Sequence, residues 1–254
     1  MNDLLALILQ AGTPLVYAAM AGVLAQRAGI RHLGLEGLMA TGACGSVMVA
    51  NVSGSLVAGL VAAAVLCVLG SVLLWLVIEV LKANPIIAGL GLTGLGLGGT
   101  DLAVQAVFSS ETAVRAEIGL PRLGQAFGPY GQLSVLVAAT PMVVFLLWVL
   151  LRRTRFGLQL AACGEHPFAA RSVGISPSRM RLAALALGGT LCALAGAELA
   201  LGSVQLFSVD MTAGRGFMAF AAAIFGASNP VGAAFAALFF SAVEALGIKV
   251  QLMF

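Results

Sequence analysis

Gly37 to Ile78, GLMATGACGSVMVANVSGSLVAGLVAAAVLCVLGSVLLWLVI, contains no Asp, Glu, Lys or Arg. A membrane-crossing helix needs about 20 predominantly apolar residues. This run is long enough for two, divided where Asn51-Val52-Ser53-Gly54 supplies a turn. The rest of the chain is built the same way. Of its 254 residues 61% are hydrophobic and only 9% charged, where soluble domains carry about a quarter. The class that fits is all-α, a polytopic transmembrane helical bundle in which residues 1–254 form a single membrane domain. A formal charge of +3 is small, and no nucleic-acid partner is implied. Membrane lipid is the expected surroundings.

Working outward, about eight spans or part-spans are expected. The first, Leu4–Ala25, is interrupted by Gly12-Thr13-Pro14, because proline kinks or ends a membrane helix. Met-Asn-Asp lacks a basic leader, so this segment is expected to be retained. Then follow Leu33–Ala50, Leu56–Leu81, Ile86 to about Leu102, Gln132–Leu151, Leu182–Leu201, a short run from Gly216 to Gly226, and Val231–Leu246. The pieces at 33–50 and 216–226 are short enough to be half-spans. Residues 104–131 are less apolar and are expected to be an external segment carrying a short helix. Breaks at Asn84-Pro85 and Asn229-Pro230 both precede small-residue runs and suggest corresponding points of an internal repeat. The chain has 32 glycines, which let helices approach closely in lipid.

Basic residues orient the bundle. With the connector holding Arg27 and Arg31 inside, Lys82, Arg152, Arg153, Arg155, Arg171, Arg179 and Arg181 also fall inside, nine cytoplasmic positions against four elsewhere. Six of these lie in one polar island, residues 152–181, RRTRFGLQLAACGEHPFAARSVGISPSRMR. It is punctuated as a short helix. Pro167 suits the first helical position, and Gly174 suits the left-handed residue past the end. The body, Phe168–Val173, is small and alanine-rich. Ser176-Pro177 opens a second helix with a capping hydroxyl. An ordered helix tied between two spans on the cytoplasmic side is expected to press against a partner.

Chemical motifs are sparse. Gly89-x-Gly91-x-x-Gly94 matches a dinucleotide fingerprint only in letters, since it follows no strand and lies in a span. There is no Gly-x4-Gly-Lys-Ser/Thr loop and no GxSxG elbow, and His32 and His166 form no metal pattern. Cys44, Cys67, Cys163 and Cys192 lack CxxC spacing and read as packing residues. Acids inside spans are expensive and usually functional. Glu36 follows a basic connector, so pairing with Arg31 or Arg27 competes with a lining role. Glu79 and Asp101 sit near span ends, whereas Glu198 and Glu244 lie deeper and are expected to face the bundle interior. Phe207, Phe217, Phe220, Phe225 and Phe235 are packing or lipid-facing aromatics first, and stacking surfaces second.

Four segments together carry a resemblance. Residues 27–39, RAGIRHLGLEGLM, resemble the ERAGVLNIGLEGMM signature of ATP-binding-cassette import permeases, in the branch for simple sugars and nucleosides. Residues 163–175, CGEHPFAARSVGI, are similar to that family's GENPxAARxAGI cytoplasmic loop, and residues 212–232 to TAGRGFIALAAVIFGxxNPLGA. Lys82-Ala83-Asn84-Pro85 falls where the family has RANQ. His166 and His32 each stand where the family has Asn, and the family's usual last membrane segments would follow Phe254.

The resemblance implies an importer permease fold, a bacterial inner-membrane location and no covalent chemistry in this chain. No cofactor is expected here; ATP and Mg would sit on a separate cytoplasmic ATPase. It implies docking of that ATPase on Gly164, Glu165, Pro167, Ala169, Ala170, Arg171 and Gly174. It also implies a second permease subunit, as a heterodimer, and a periplasmic or lipid-anchored substrate-binding protein. Glu36, Asn84, Arg215, Phe217 and Asn229 are the expected neighbours of the translocation path. A branched-chain amino-acid permease of the same class and an autonomous ion-coupled transporter are the competing functions. A membrane-embedded enzyme is disfavoured, because no nucleophile–base or metal constellation is present.

Overall fold

The computed structural model describes residues 2–108, 113–124 and 131–251. Seven helices among them are long and apolar enough to cross a membrane. They are α1 (Asn2–Arg27), α2 (Leu35–Ser53), α3 (Leu56–Glu79), α4 (Pro85–Phe108), α5 (Val135–Arg153), α8 (Pro177–Ala197, prolonged by a π-turn over Glu198–Val204) and α10 (Pro230–Gln251). Three shorter helices complete the set: α6 (Arg155–Glu165), α7 (Pro167–Ser172) and α9 (Arg215–Phe225). Two three-residue strands, β1 (Ala113–Arg115) and β2 (Leu206–Ser208), pair antiparallel.

Several boundaries differ from expectation. Helix α1 is not interrupted. It continues through Pro14, and Leu15 to Leu24, the residues that follow, are buried. Helix α4 continues six residues past Leu102, to Phe108. The segment 104–131 thus opens on the end of α4, and its other described residues form β1 and a bridge from Arg122 to Ser134; residues 109–112 and 125–130 lie outside the described residues. Asn51 holds that region to α2, its Nδ2 donating to the Arg115 carbonyl at 2.8 Å while its Oδ1 accepts from Glu117 N at 3.0 Å.

Helices α1, α2 and α8 are the buried centre, while α3, α4, α5 and α10 turn apolar side chains such as Leu69, Leu95, Phe145 and Phe239 outward. Lipid replaces water around such faces, so close packing does the holding. Small residues set it up: a Cβ on Gly37 would lie 2.6 Å from Thr93 Cα, and one on Gly96 would lie 2.5 Å from the Gly37 carbonyl.

The packing pattern repeats with inverted direction. Helix α3 packs on α2 and α8, and α10 packs on α9 and α1, while α1 and α8 pack on each other. Thus α1–α2–α3 corresponds to α8–α9–α10. The correspondence shows in Gly37-Leu38-Met39-Ala40 against Gly216-Phe217-Met218-Ala219. The expected pairing of Asn84-Pro85 with Asn229-Pro230 is therefore wrong: the counterpart of Asn229-Pro230 is Ser55-Leu56, at the head of α3. Composition around a break does not register which helix it precedes.

Candidate functional site

Two half-begun helices meet inside the bundle. Helix α2 starts with Leu35 and Glu36 buried rather than at a surface. Gly37 lies against Thr93, roughly 12 Å along α4 at 1.5 Å per residue. The lead-in from Ile30 to Gly34 thus enters the protein before helix begins. Helix α9 is its inverted partner. Its 11 residues span about 16 Å, half of a roughly 30 Å hydrocarbon core. It is reached from β2 through turns in which Asp210, Ala213 and Gly214 all have positive φ.

Glu36 joins the two. One carboxylate oxygen accepts from Gly214 N at 2.8 Å and the other from Gly216 N at 2.5 Å. It therefore caps the start of α9, where unpaired N–H groups and the helix dipole favour an anion. Gly216 has no side chain because one would strike Glu36 itself. The expected pairing with Arg27 or Arg31 does not form: the Arg27 guanidinium turns to Ser228. Spacing in sequence favoured the near arginines, but α9 brings two donors closer.

Arg215 and Phe217 share this meeting point. Arg215 donates to Glu244 at 2.8 Å, and Phe217 is partly exposed beside it. Glu244 is expected deep in the bundle, yet its side chain stays 30% exposed in this pair. Asn84 and Asn229 lie apart from it. Asn84 caps α4, accepting from Ile86 N at 2.9 Å, and the buried Asn229 Oδ1 has no partner. Glu198 is fully buried and accepts from Ser134 Oγ at 2.6 Å, tying the π-turn to the head of α5. No sequence spacing signals that bond.

His32 lies in the connector and is 2% exposed. Its Nδ1 accepts from Gly34 N at 3.1 Å, the bond an Asn oxygen makes two residues on. Burial lowers its pKa from 6.5 to about 4. The unfolded chain takes up the proton first as pH falls, so the neutral ring's stability is complete above 6.5 and is lost toward 4. That loss reaches about 3 kcal/mol. Melting of the purified protein should fall between pH 6.5 and 4.5, and His32→Asn should fall less; identical pH profiles would refute this.

The second part of the site is the island. Helix α6, which the sequence reading did not anticipate, starts at Thr154, whose Oγ1 accepts from Gly157 N. Helix α7 runs from Pro167 at its first turn to Ser172, with Val173 as the closing residue and Gly174 at φ +82°. The left-handed turn was expected there. Ser176 caps α8 by position, but its hydroxyl makes no bond. His166 occupies the residue before α7 without a side-chain bond. The surface of α7 is not small. Phe168 is 83% exposed, with Ala169, Arg171 and Val173 also outward, while Ala170 is 3% exposed and faces the protein. Glu165 is exposed at the end of α6, and Gly164 is packed backbone to backbone on Arg27 and Gly29. Arg181 donates to Glu79 at 2.6 Å and to the Ala28 carbonyl, which sets the first turns of α8 against the end of α1 beside Arg27. Among the described residues no group of three His, Cys, Asp or Glu could hold a metal.

The chain is similar to several known transport proteins. The guanosine ABC transporter permease NupQ of Bacillus subtilis is 30% identical, over 92% of this chain and 78% of its own length. The nucleoside ABC transporter permease NupC of Lactococcus lactis is 34% identical, over 93% and 79%. A glucose ABC transporter permease of Haloferax volcanii is 30% identical, over 97% and 70%. No solved structure matches significantly. The model of one family covers residues 4–253, and the chain belongs to it: the permease component of the branched-chain amino acid transport system family.

Proposed function

We propose that this chain is the pore-forming subunit of an ATP-driven importer of nucleosides or simple sugars in a bacterial inner membrane. The observation that carries the reading is α7: a rigid six-residue helix, offered at the basic end with Phe168 outward and Ala170 anchored inward. An aromatic side chain held so far out on a short, fixed helix suits a pocket on a partner. The basic end is cytoplasmic by the positive-inside bias, so the partner is the ATPase, which binds ATP and Mg. A second permease subunit and an external binding protein complete the transporter. The path then runs beside Arg215 and Phe217, with Glu36 and Asn229 behind it and Asn84 at its cytoplasmic rim. Relatives named for guanosine, nucleosides and glucose favour those substrates over the amino acids of the family's printed description.

Phe168→Ala tests the docking face better than any change at the inward Ala170, which would disturb the loop itself. It should remove about 2 kcal/mol of docking, about thirtyfold in affinity. Co-purification of the ATPase and uptake of labelled guanosine or glucose should be lost while membrane insertion persists. Wild-type co-purification and uptake would refute the docking face. Uptake of leucine, with none of guanosine or glucose, would move the substrate to the amino-acid class.

A further inference from the structure

Both flanks of α7 grip the same turn. Before it, Gly164 at the end of α6 lies so close to Arg27 that a Cβ would collide with the Arg27 carbonyl; a Cβ on Gly29, at φ +77°, would lie 3.0 Å from the Gly164 carbonyl. After it, Arg181 in α8 donates Nε–H to the Ala28 carbonyl at 3.3 Å. The turn Gln26–Ile30 is thus held by the chain entering α7 and by the chain leaving it. From this turn two routes lead inward. Ile30 begins the lead-in to α2. Arg27 donates Nε–H to the Ser228 carbonyl at 2.9 Å, and Ser228 Oγ donates to Gln26 Oε1 at 2.8 Å. Ser228 is in the break between α9 and α10.

That break carries backbone strain and unpaired polar groups. Ala227 and Ser228 hold φ of 51° and 55° without being glycine, a conformation that costs about 1 kcal/mol or more per residue. Gln26 Nε2 and Asn229 Oδ1, a donor and an acceptor on the two sides, are both buried and unpaired. A polar cavity of about 320 Å³, whose lining includes Gln26, Arg27, Gly164, Glu165, Ala227 and Ser228, leaves room beside Gln26 and the break. A buried polar group left unpaired carries a cost that an arrangement pairing it would remove.

We propose that Arg27 is a positioning residue that carries movement of α7 to the α9–α10 break, so that the coupling helix reaches the inverted half-helix α9 through the end of α1. This rests on the reading of α7 as the ATPase contact. The test is a cysteine pair, Gln26→Cys with Ser228→Cys, in membranes that hold the whole transporter with its ATPase. Copper-phenanthroline cross-linking is compared between nucleotide-free samples and samples trapped with ATP and vanadate. Trapping should lower the yield at least about threefold, because the two arrangements separate the pair. Adding Arg27→Gln should make the two yields equal, with the ATPase still co-purifying. Equal yields in the parent pair overturn the joint. A nucleotide-dependent yield that survives Arg27→Gln overturns the role of Arg27. Failure of the ATPase to co-purify with the parent pair strikes the coupling reading itself, and this proposal with it.

Discussion

Glu36→Ala is expected to lower the melting temperature of the purified permease by roughly 6–12 °C. The carboxylate accepts two backbone N–H groups at the start of α9, and hydrogen bonds to a charged group contribute about 1.5–3 kcal/mol each. The Gly216 donor is buried, so no water replaces its lost acceptor, while the Gly214 donor is part-buried. A loss of about 3 kcal/mol is the lower end, and each kcal/mol moves a protein of this size by about 2–4 °C. Glu36→Gln keeps one acceptor oxygen and should fall between wild type and alanine. Differential scanning measurements on the three proteins decide the matter. A shift under about 2 °C for Glu36→Ala would refute the cap. The same substitution should also abolish uptake, because α9 loses the group that orders its first turn.

Gly37→Val is expected to displace α4. The branched side chain would have to occupy space filled by Thr93 Cα, Leu92 O and Thr93 O, at 2.6, 2.7 and 3.1 Å from a Cβ. Backbone cannot swing aside as a side chain can, so the two helices must separate. Little else holds α4, since its main packing is on α2 and its outer face is largely exposed. Overpacking costs about 1–3 kcal/mol in a core that can adjust, and this crossing has no flexible atom to adjust. The bond from Thr93 Oγ1 to the Leu33 carbonyl at 3.2 Å is lost as well. Limited proteolysis of the Lys82–Pro85 connection should accelerate at least about tenfold, in step with local opening. Gly91→Val, on the open face of the same helix with nothing within 4 Å, is the control and should behave as wild type. Equal proteolysis of Gly37→Val and wild type would refute the crossing.

The coupling helix was legible because its determinants are local. Proline at a first turn and glycine past a last one act through their own backbone, so Pro167 and Gly174 marked α7 to within one residue. The cap at Glu36 was not legible. Its donors, Gly214 and Gly216, are far along the chain, whereas Arg27 and Arg31 are near, and a one-dimensional reading weighs near charges first. Phe168 was likewise missed as a knob, because which face of a six-residue helix turns outward depends on what it rests upon. The internal repeat was sensed from proline breaks but placed on the wrong helix, since a break's composition says nothing of its neighbours.

The sequence alone determined that this chain is a membrane bundle, and that a short helix lies in its arginine-rich island. Those follow from transfer energies and backbone preferences that each residue carries by itself. Only the tertiary structure decided that α2 and α9 begin inside the protein, that Glu36 closes one upon the other, and that both flanks of α7 hold the end of α1. These depend on contacts between residues as much as 180 positions apart, and no local preference encodes which distant donor a carboxylate will meet.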